Sequence, residues 1–149
     1  MRLLKALFAG SVLLVANSVL ANECELTITS TDNMRYDKSE LSVPASCSEV
    51  TLTLEHSGKM GKKVMGHNWV LSKSSDMQSV VQQGMSAGLD NNYVPDSDTV
   101  IAATDVIGGG ESTSVTFSTE GMSADGDYMF YCTFPGHSAI MKGQFKLTQ

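Results

Sequence analysis

The sequence predicts an all-β protein, two packed antiparallel sheets with a helix in one long connection. Three observations lead there. Apolar and polar residues alternate with a period of two along most of the chain, turn residues interrupt the alternation, and one stretch alone changes to helical spacing. The size agrees: 149 residues, 42% hydrophobic and 17% charged, make a single globular domain with a real core.

The first 21 residues stand outside this pattern. Arg2 and Lys5 form a short positive region, residues 6–15 are apolar, and Val19-Leu20-Ala21 supplies a small-residue cleavage site. The apolar run is too short to span a bilayer, and Asn17-Ser18 interrupts it. The expected organisation is a signal peptide over 1–21, cleavage after Ala21, and a mature exported domain over 22–149 with no membrane span. Without Arg2 and Lys5 the chain keeps eight basic residues against sixteen acidic ones, a net charge of −8. That acidity, with no basic cluster beyond Lys62-Lys63, excludes a nucleic-acid partner.

The elements follow in order. Cys24, Leu26 and Ile28 alternate with Glu25, Thr27 and Thr29, and Asp32-Asn33 makes a turn. Val50, Leu52 and Leu54 alternate with Glu49, Thr51, Thr53 and Glu55 before the Ser57-Gly58 turn. A strand over 67–71 comes next. Ser75-Asp76 then reads as a helix start, with Met77, Val80, Val81 and Gly84 at helical spacing. Strands over 100–102, 113–118, 127–132 and 142–148 complete the chain, separated by Gly108-Gly109-Gly110 and Asp125-Gly126.

The chain has three cysteines, so at least one thiol is left over. Export permits a bridge between Cys24 and Cys47, which would close a loop of about 24 residues worth about 3 kcal/mol. Other pairings stay open at this level. Cys132 has a different setting, because Tyr128, Phe130 and Cys132 share one strand face and Cys132 falls at the strand end. His137 lies in the short reversal that follows, and Met141 is in phase with the inward Gly143, Phe145 and Leu147. His67 is in phase with Trp69, the natural core filler. One end of the sandwich thus gathers a thiolate, two imidazoles and a thioether. Two His and a Cys in trigonal array with a weak axial Met select copper and suit one-electron cycling between Cu(I) and Cu(II). Zinc seldom accepts Met.

Residues 64–72 (VMGHNWVLS) and 128–143 (YMFYCTFPGHSAIMKG) resemble the azurins, a family of bacterial periplasmic blue copper proteins. The resemblance extends from Cys24 to the C-terminus, and the C-x4-H-x3-M spacing favours azurins over the shorter loops of plastocyanin-like relatives. It implies a Greek-key cupredoxin sandwich of about eight strands with one short helix, and a Cys24–Cys47 disulfide. It implies equatorial ligands His67, Cys132 and His137, axial Met141, and a weak contact from the Gly66 carbonyl. It also implies that Asn68 ties the ligand loops together, and that the N–H groups of Asn68 and Phe134 support the Cys sulfur.

The expected function is electron transport by a monomer, with one copper ion as cofactor and no catalytic residue. Met34, Met60, Met65, Met85, Phe134, Pro135, Ala139 and Ile140 are expected to form an apolar docking patch beside His137. Its partners would be transient redox proteins, such as c-type cytochromes or periplasmic reductases and dehydrogenases. The competing reading is a periplasmic protein that buffers or delivers copper, which exposed Met/His clusters or a CxxC would support. An enzyme with Cys132 as nucleophile and His137 as base would need an open position that Met141 takes up. His56, in phase with Leu54, is expected to be a buried hydrogen-bonded imidazole rather than a ligand.

Overall fold

The computed structural model describes residues 23–149. The expected signal peptide lies outside the described residues. Nine strands among them form two sheets. The first sheet has the order β2-β1-β4-β7, built from β1 (Glu25–Thr31), β2 (Arg35–Tyr36), β4 (Glu49–His56) and β7 (Ser112–Ser118). The second has the order β3-β9-β8-β5-β6, built from β3 (Glu40–Pro44), β5 (Val70–Lys73), β6 (Val100–Ala103), β8 (Tyr128–Tyr131) and β9 (Lys142–Thr148). The alternating apolar positions of each strand meet between the sheets. Ile28, Leu52, Leu54, Leu71, Phe130 and Phe145 are buried around Trp69 in one core.

Three expectations need correction. The sheets are mixed rather than antiparallel: β1 runs parallel to β4, and β3 runs parallel to β9. Between β1 and β4 the chain crosses to the other sheet as β3, so it returns in the same direction instead of folding back as a hairpin. The strand expected over 67–71 begins only at Val70. His67 instead makes an isolated bridge with Ile107, and the Trp69 N–H is taken by the Thr104 hydroxyl. Similarly, β8 stops at Tyr131, one residue short of Cys132. These interruptions release both segments from the ladder where the sheet gives way to the site.

The expected helix is α2 (Met77–Ala87). Val80 packs with Val70 and Tyr131 on the outer face of the second sheet, which explains why Tyr131 is buried although it points away from the main core. A further one-turn helix, α1 (Lys62–Met65), leads into Gly66 and His67. Cys24 and Cys47 form a disulfide that ties the start of β1 to the turn before β4.

Candidate metal centre

The loop from Cys132 to Met141 is stitched by its own main chain. The Cys132 N–H donates to the Met141 carbonyl (3.0 Å), Met141 to His137 (2.9 Å) and His137 to Phe134 (3.0 Å). Gly136 has φ = 82°, a left-handed conformation that glycine adopts without strain. It turns the chain so that His137 opens a short 3₁₀ turn, His137–Ala139, with its ring directed inward and 4% of the residue exposed.

The second arm is Gly66-His67-Asn68. A Cβ at Gly66 would collide with the Lys62 carbonyl and the Val106 side chain, so only glycine lets this arm lie so close to α1. The backbone of His67 is bonded at both N–H and carbonyl to Ile107 (3.0 and 2.9 Å). Asn68 is fully buried and joins the two arms: its Oδ1 accepts from the Thr133 N–H (2.9 Å), and its Nδ2 donates to Thr133 Oγ1 (2.7 Å) and the Asn92 carbonyl (2.8 Å). Tyr36 adds a hydrogen bond from its hydroxyl to the Asn68 carbonyl. A buried amide with every group satisfied fixes relative position as well as adding stability.

The two arms bring His67, Cys132 and His137 together, with their ligand atoms within 4.8 Å of one another. His67 Nδ1 lies 3.2 Å from His137 Nδ1, and Cys132 Sγ lies 4.0 and 3.7 Å from them. A point equidistant from these atoms would be about 2.1 Å from each, close to the lengths of metal–imidazole and metal–thiolate bonds, roughly 2.0–2.3 Å. Met141 is fully buried in the same apolar cluster as Cys132, Phe134 and Val106.

Protonation favours a cation at that point. His67 Nε2 donates to the Thr31 carbonyl (2.9 Å), which leaves Nδ1 as the lone-pair nitrogen of the neutral ring. Burial lowers the His67 pKa to about 4, helped by the His56 and His137 rings and opposed by the Thr31 carbonyl and Asp32. Burial lowers His137 as well. Burial also pushes the Cys132 thiol up to about 12, against the pull of N–H donors from Asn68 and Phe134. Soft sulfur and neutral nitrogen converge with no carboxylate among them, and that donor set fits copper.

His56 is 2% exposed and stacks on His67, ring centroids 4.5 Å apart. Its Nε2 donates to the Met65 carbonyl (2.9 Å), and its Nδ1 accepts from the Gly58 N–H (3.0 Å). Both ring nitrogens are engaged outside the His67–Cys132–His137 group.

The residues expected to form a docking patch divide by exposure. Met60, Met85 and Ile140 are 46%, 56% and 56% exposed, and Pro135 and Ala139 are open to solvent. Phe134 is buried against His137, and Met34 and Met65 are half-buried, Met34 against the Cys132 cluster. Val64, 67% exposed, belongs to the same end and was missed because it opens no strand and reads as core by composition. Thr31, Thr133 and Asn92 were missed too. They act through hydrogen bonds across the fold, and no local spacing announces them.

A β-sandwich with a buried Cys–His–His group on loops at one end defines a cupredoxin, a small copper protein. The sequence matches the copper binding proteins of the plastocyanin/azurin family over residues 22–148. It is 51% identical to the azurin of Bordetella pertussis over 146 residues, 96% of this chain and 97% of that protein. It is 48% identical to the azurin of Pseudomonas aeruginosa over 147 residues, 97% and 99% of the two. The solved structure of azurin Az-iso2 from Methylomonas sp. strain J superposes with a TM-score of 0.81 at 50% identity, covering 85% of this chain and 98% of that one. The chain belongs to the plastocyanin/azurin family of copper-binding proteins. Its cofactor is copper, and it is a blue copper protein that carries single electrons.

Proposed function

We propose that His67 Nδ1, His137 Nδ1 and Cys132 Sγ would hold the copper, with the Met141 thioether a weaker donor and the Gly66 carbonyl a weak fifth contact. The triangle of 3.2, 3.7 and 4.0 Å carries this reading. Bound there, copper would supply a one-electron couple, Cu(I)/Cu(II), to which soft sulfur and neutral nitrogen donors are both suited. The protein does the rest. Thr31 sets the His67 tautomer, the Asn68 and Phe134 N–H groups stabilise thiolate charge, and Asn68 locks the arms so that little rearranges when the charge changes. The apolar cluster around Cys132 keeps water away.

The function follows as electron carriage with no substrate turned over. The burial of Cys132 and Met141 supports this over copper delivery, because cargo must be reached and exchanged. Electrons pass through the His137 side, where Met34, Met60, Met65, Met85, Phe134, Pro135, Ala139 and Ile140 form the rim. The partners are transient redox proteins of the c-type cytochrome, reductase or dehydrogenase kind, met by a monomer. The Cys24–Cys47 disulfide supports an oxidising compartment, so residues 1–21 act as an export signal and 22–149 work in the periplasm. Intact-mass measurement of the periplasmic protein tests the cleavage, with a chain starting at Asn22 as the expected result.

The site itself is tested by adding Cu(II) to the apoprotein. The wild type should develop an intense blue band, and Cys132→Ser should stay folded without it, since a hydroxyl oxygen cannot supply the soft covalent thiolate. A strong visible band in the serine variant removes Cys132 from the site.

A further inference from the structure

The two stretches that build the site carry a charge opposite to that of the molecule. Residues 56–75 and 128–149 hold six of the ten Lys and Arg and none of the sixteen Asp and Glu. Residues 23–149 as a whole carry eight cations against sixteen acids. Three of those cations, Lys59, Lys62 and Lys63, fall within five residues just before Gly66 and His67. The Lys62 carbonyl closes on Gly66, which also borders Phe134, so this lysine turn flanks the loop that holds His137. On the far side of that loop, Lys142 borders a groove with Ala139, Ser138 and Met85.

Among the described residues these lysines have no ion-pair partner. Among the described residues, the ion pairs of lysines join Lys38 to Asp37 and Lys146 to Glu40, and none involves Lys59, Lys62, Lys63 or Lys142. Asp90 and Asp105 share a cleft with Lys62 and Lys63 without reaching ion-pair distance. Asp32 accepts from the N–H groups of Lys59 and Met60 and keeps its negative charge, so the four lysines stand against three nearby carboxylates, Asp32, Asp90 and Asp105. Between the lysines stand exposed apolar side chains, Met60, Val64 and Ile140.

We propose that this end of the molecule docks a redox protein whose contact face carries carboxylates around an apolar centre, and that Lys59, Lys62, Lys63 and Lys142 steer it into place. The inference rests on the reading that electrons pass through the His137 side. A net negative molecule would repel an acidic partner at long range. Within a Debye length of about 10 Å at 0.1 M salt, however, the approaching face meets a local excess of cations, four lysines against Asp32, Asp90 and Asp105, before it meets the other thirteen carboxylates. The charge at the exit thus chooses partners that the net charge would reject. Exposed apolar side chains supply the close contact, and transient redox encounters need little buried area.

The test uses the reduced, copper-loaded protein and two small oxidants of opposite charge. These are the hexacyanoferrate(III) trianion and the tris(1,10-phenanthroline)cobalt(III) trication. In each reaction one electron leaves the protein and reduces one metal complex, Fe(III) to Fe(II) or Co(III) to Co(II), with no proton or bond transferred. If lysines govern the exit, the hexacyanoferrate rate falls as salt rises and the cobalt rate climbs. The double variant Lys62→Glu/Lys63→Glu should invert both slopes and slow hexacyanoferrate about tenfold at low salt. Its visible spectrum should match wild type, because neither lysine is a ligand, and its reduction potential, measured alongside, corrects both rates for the change in driving force. A wild-type hexacyanoferrate rate that climbs with salt, as the net charge dictates, overturns the proposal. So do unchanged slopes in the double variant. Failure of the wild type to turn blue would instead overturn the copper site, so the two failures are distinguishable.

Discussion

Cys132 joins two opposed demands in one side chain. As a thiol it is held near 12 by burial, yet the N–H groups of Asn68 and Phe134 point at its sulfur and await a thiolate. Only a cation at the centre of the triangle satisfies both, so metal binding must displace the thiol proton. With both histidines lowered by burial and already neutral at pH 7, Cu(II) titrated into weakly buffered apoprotein should release about one proton per ion, by this coupling of ligand deprotonation to binding. The release should rise at acid pH, as His67 begins to protonate towards its value of about 4 and must lose that proton too. A pH-stat or calorimetry in buffers of different ionisation enthalpy measures it, and no release at pH 7 would mean that Cys132 does not bind. Met141 allows a second measurement. Its thioether donates weakly and favours Cu(II) slightly, whereas a leucine methyl donates nothing, so Met141→Leu should keep the blue band and raise the reduction potential. The similar volume should hold the packing cost below about 1.5 kcal/mol. A potential that is unchanged or lower in voltammetry removes Met141 from the axial role.

The Cys24–Cys47 bridge anchors β1 beside β4, its parallel neighbour, and a parallel pair cannot be held by a hairpin. Reducing the bridge gives the unfolded chain a loop of 23 residues to explore, a loss of about 3 kcal/mol by the chain-entropy account. Thermal melting of the apoprotein in reductant should therefore move down by several degrees, and an equal melting temperature with both thiols labelled would contradict it. The strands themselves were legible because burial imposes a period of two: Val50, Leu52 and Leu54 in β4, and Gly143, Phe145 and Leu147 in β9, point inward in sequence and in space. The parallel pairings were not legible, since alternation states which face is buried and says nothing of which neighbour is chosen. The strand expected over 67–71 is likewise shorter in the structure, where it begins at Val70. His67, Asn68 and Trp69 are all buried, an unbroken run that no alternation describes, because their surroundings are loops from several elements rather than one sheet face. The Cys132–His137–Met141 spacing was readable from a single loop. Its supports at Thr31, Asn92 and Thr133 were not, because each acts across more than twenty residues of chain.

At the scale of the whole molecule, the fold separates a stiff sandwich from one working end. The core around Trp69 carries stability, while the arms that hold His67 and Cys132 leave their ladders at the same end and present His137 behind a thin apolar rim. Ile140 is the most informative member of that rim. It follows the His137–Ala139 turn, is more than half exposed, and precedes the buried Met141. If electrons leave through the His137 side, as proposed, two copies exchanging them bring those sides together and exclude water between them. A charge at Ile140 would have to be desolvated at each such encounter, and its like-charged twin would face it. Ile140→Lys should therefore slow electron self-exchange by about tenfold or more at low salt and by less as salt screens the pair. The blue band should be unchanged, because the substituted side chain points to solvent while the Met141 backbone keeps its bonds to Cys132 and His137. Nuclear magnetic resonance line broadening in mixtures of the oxidised and reduced protein gives the rate. Exchange as fast as wild type at low salt would place the contact between copies on another face, and the His137 side would lose its claim to be the door for electrons.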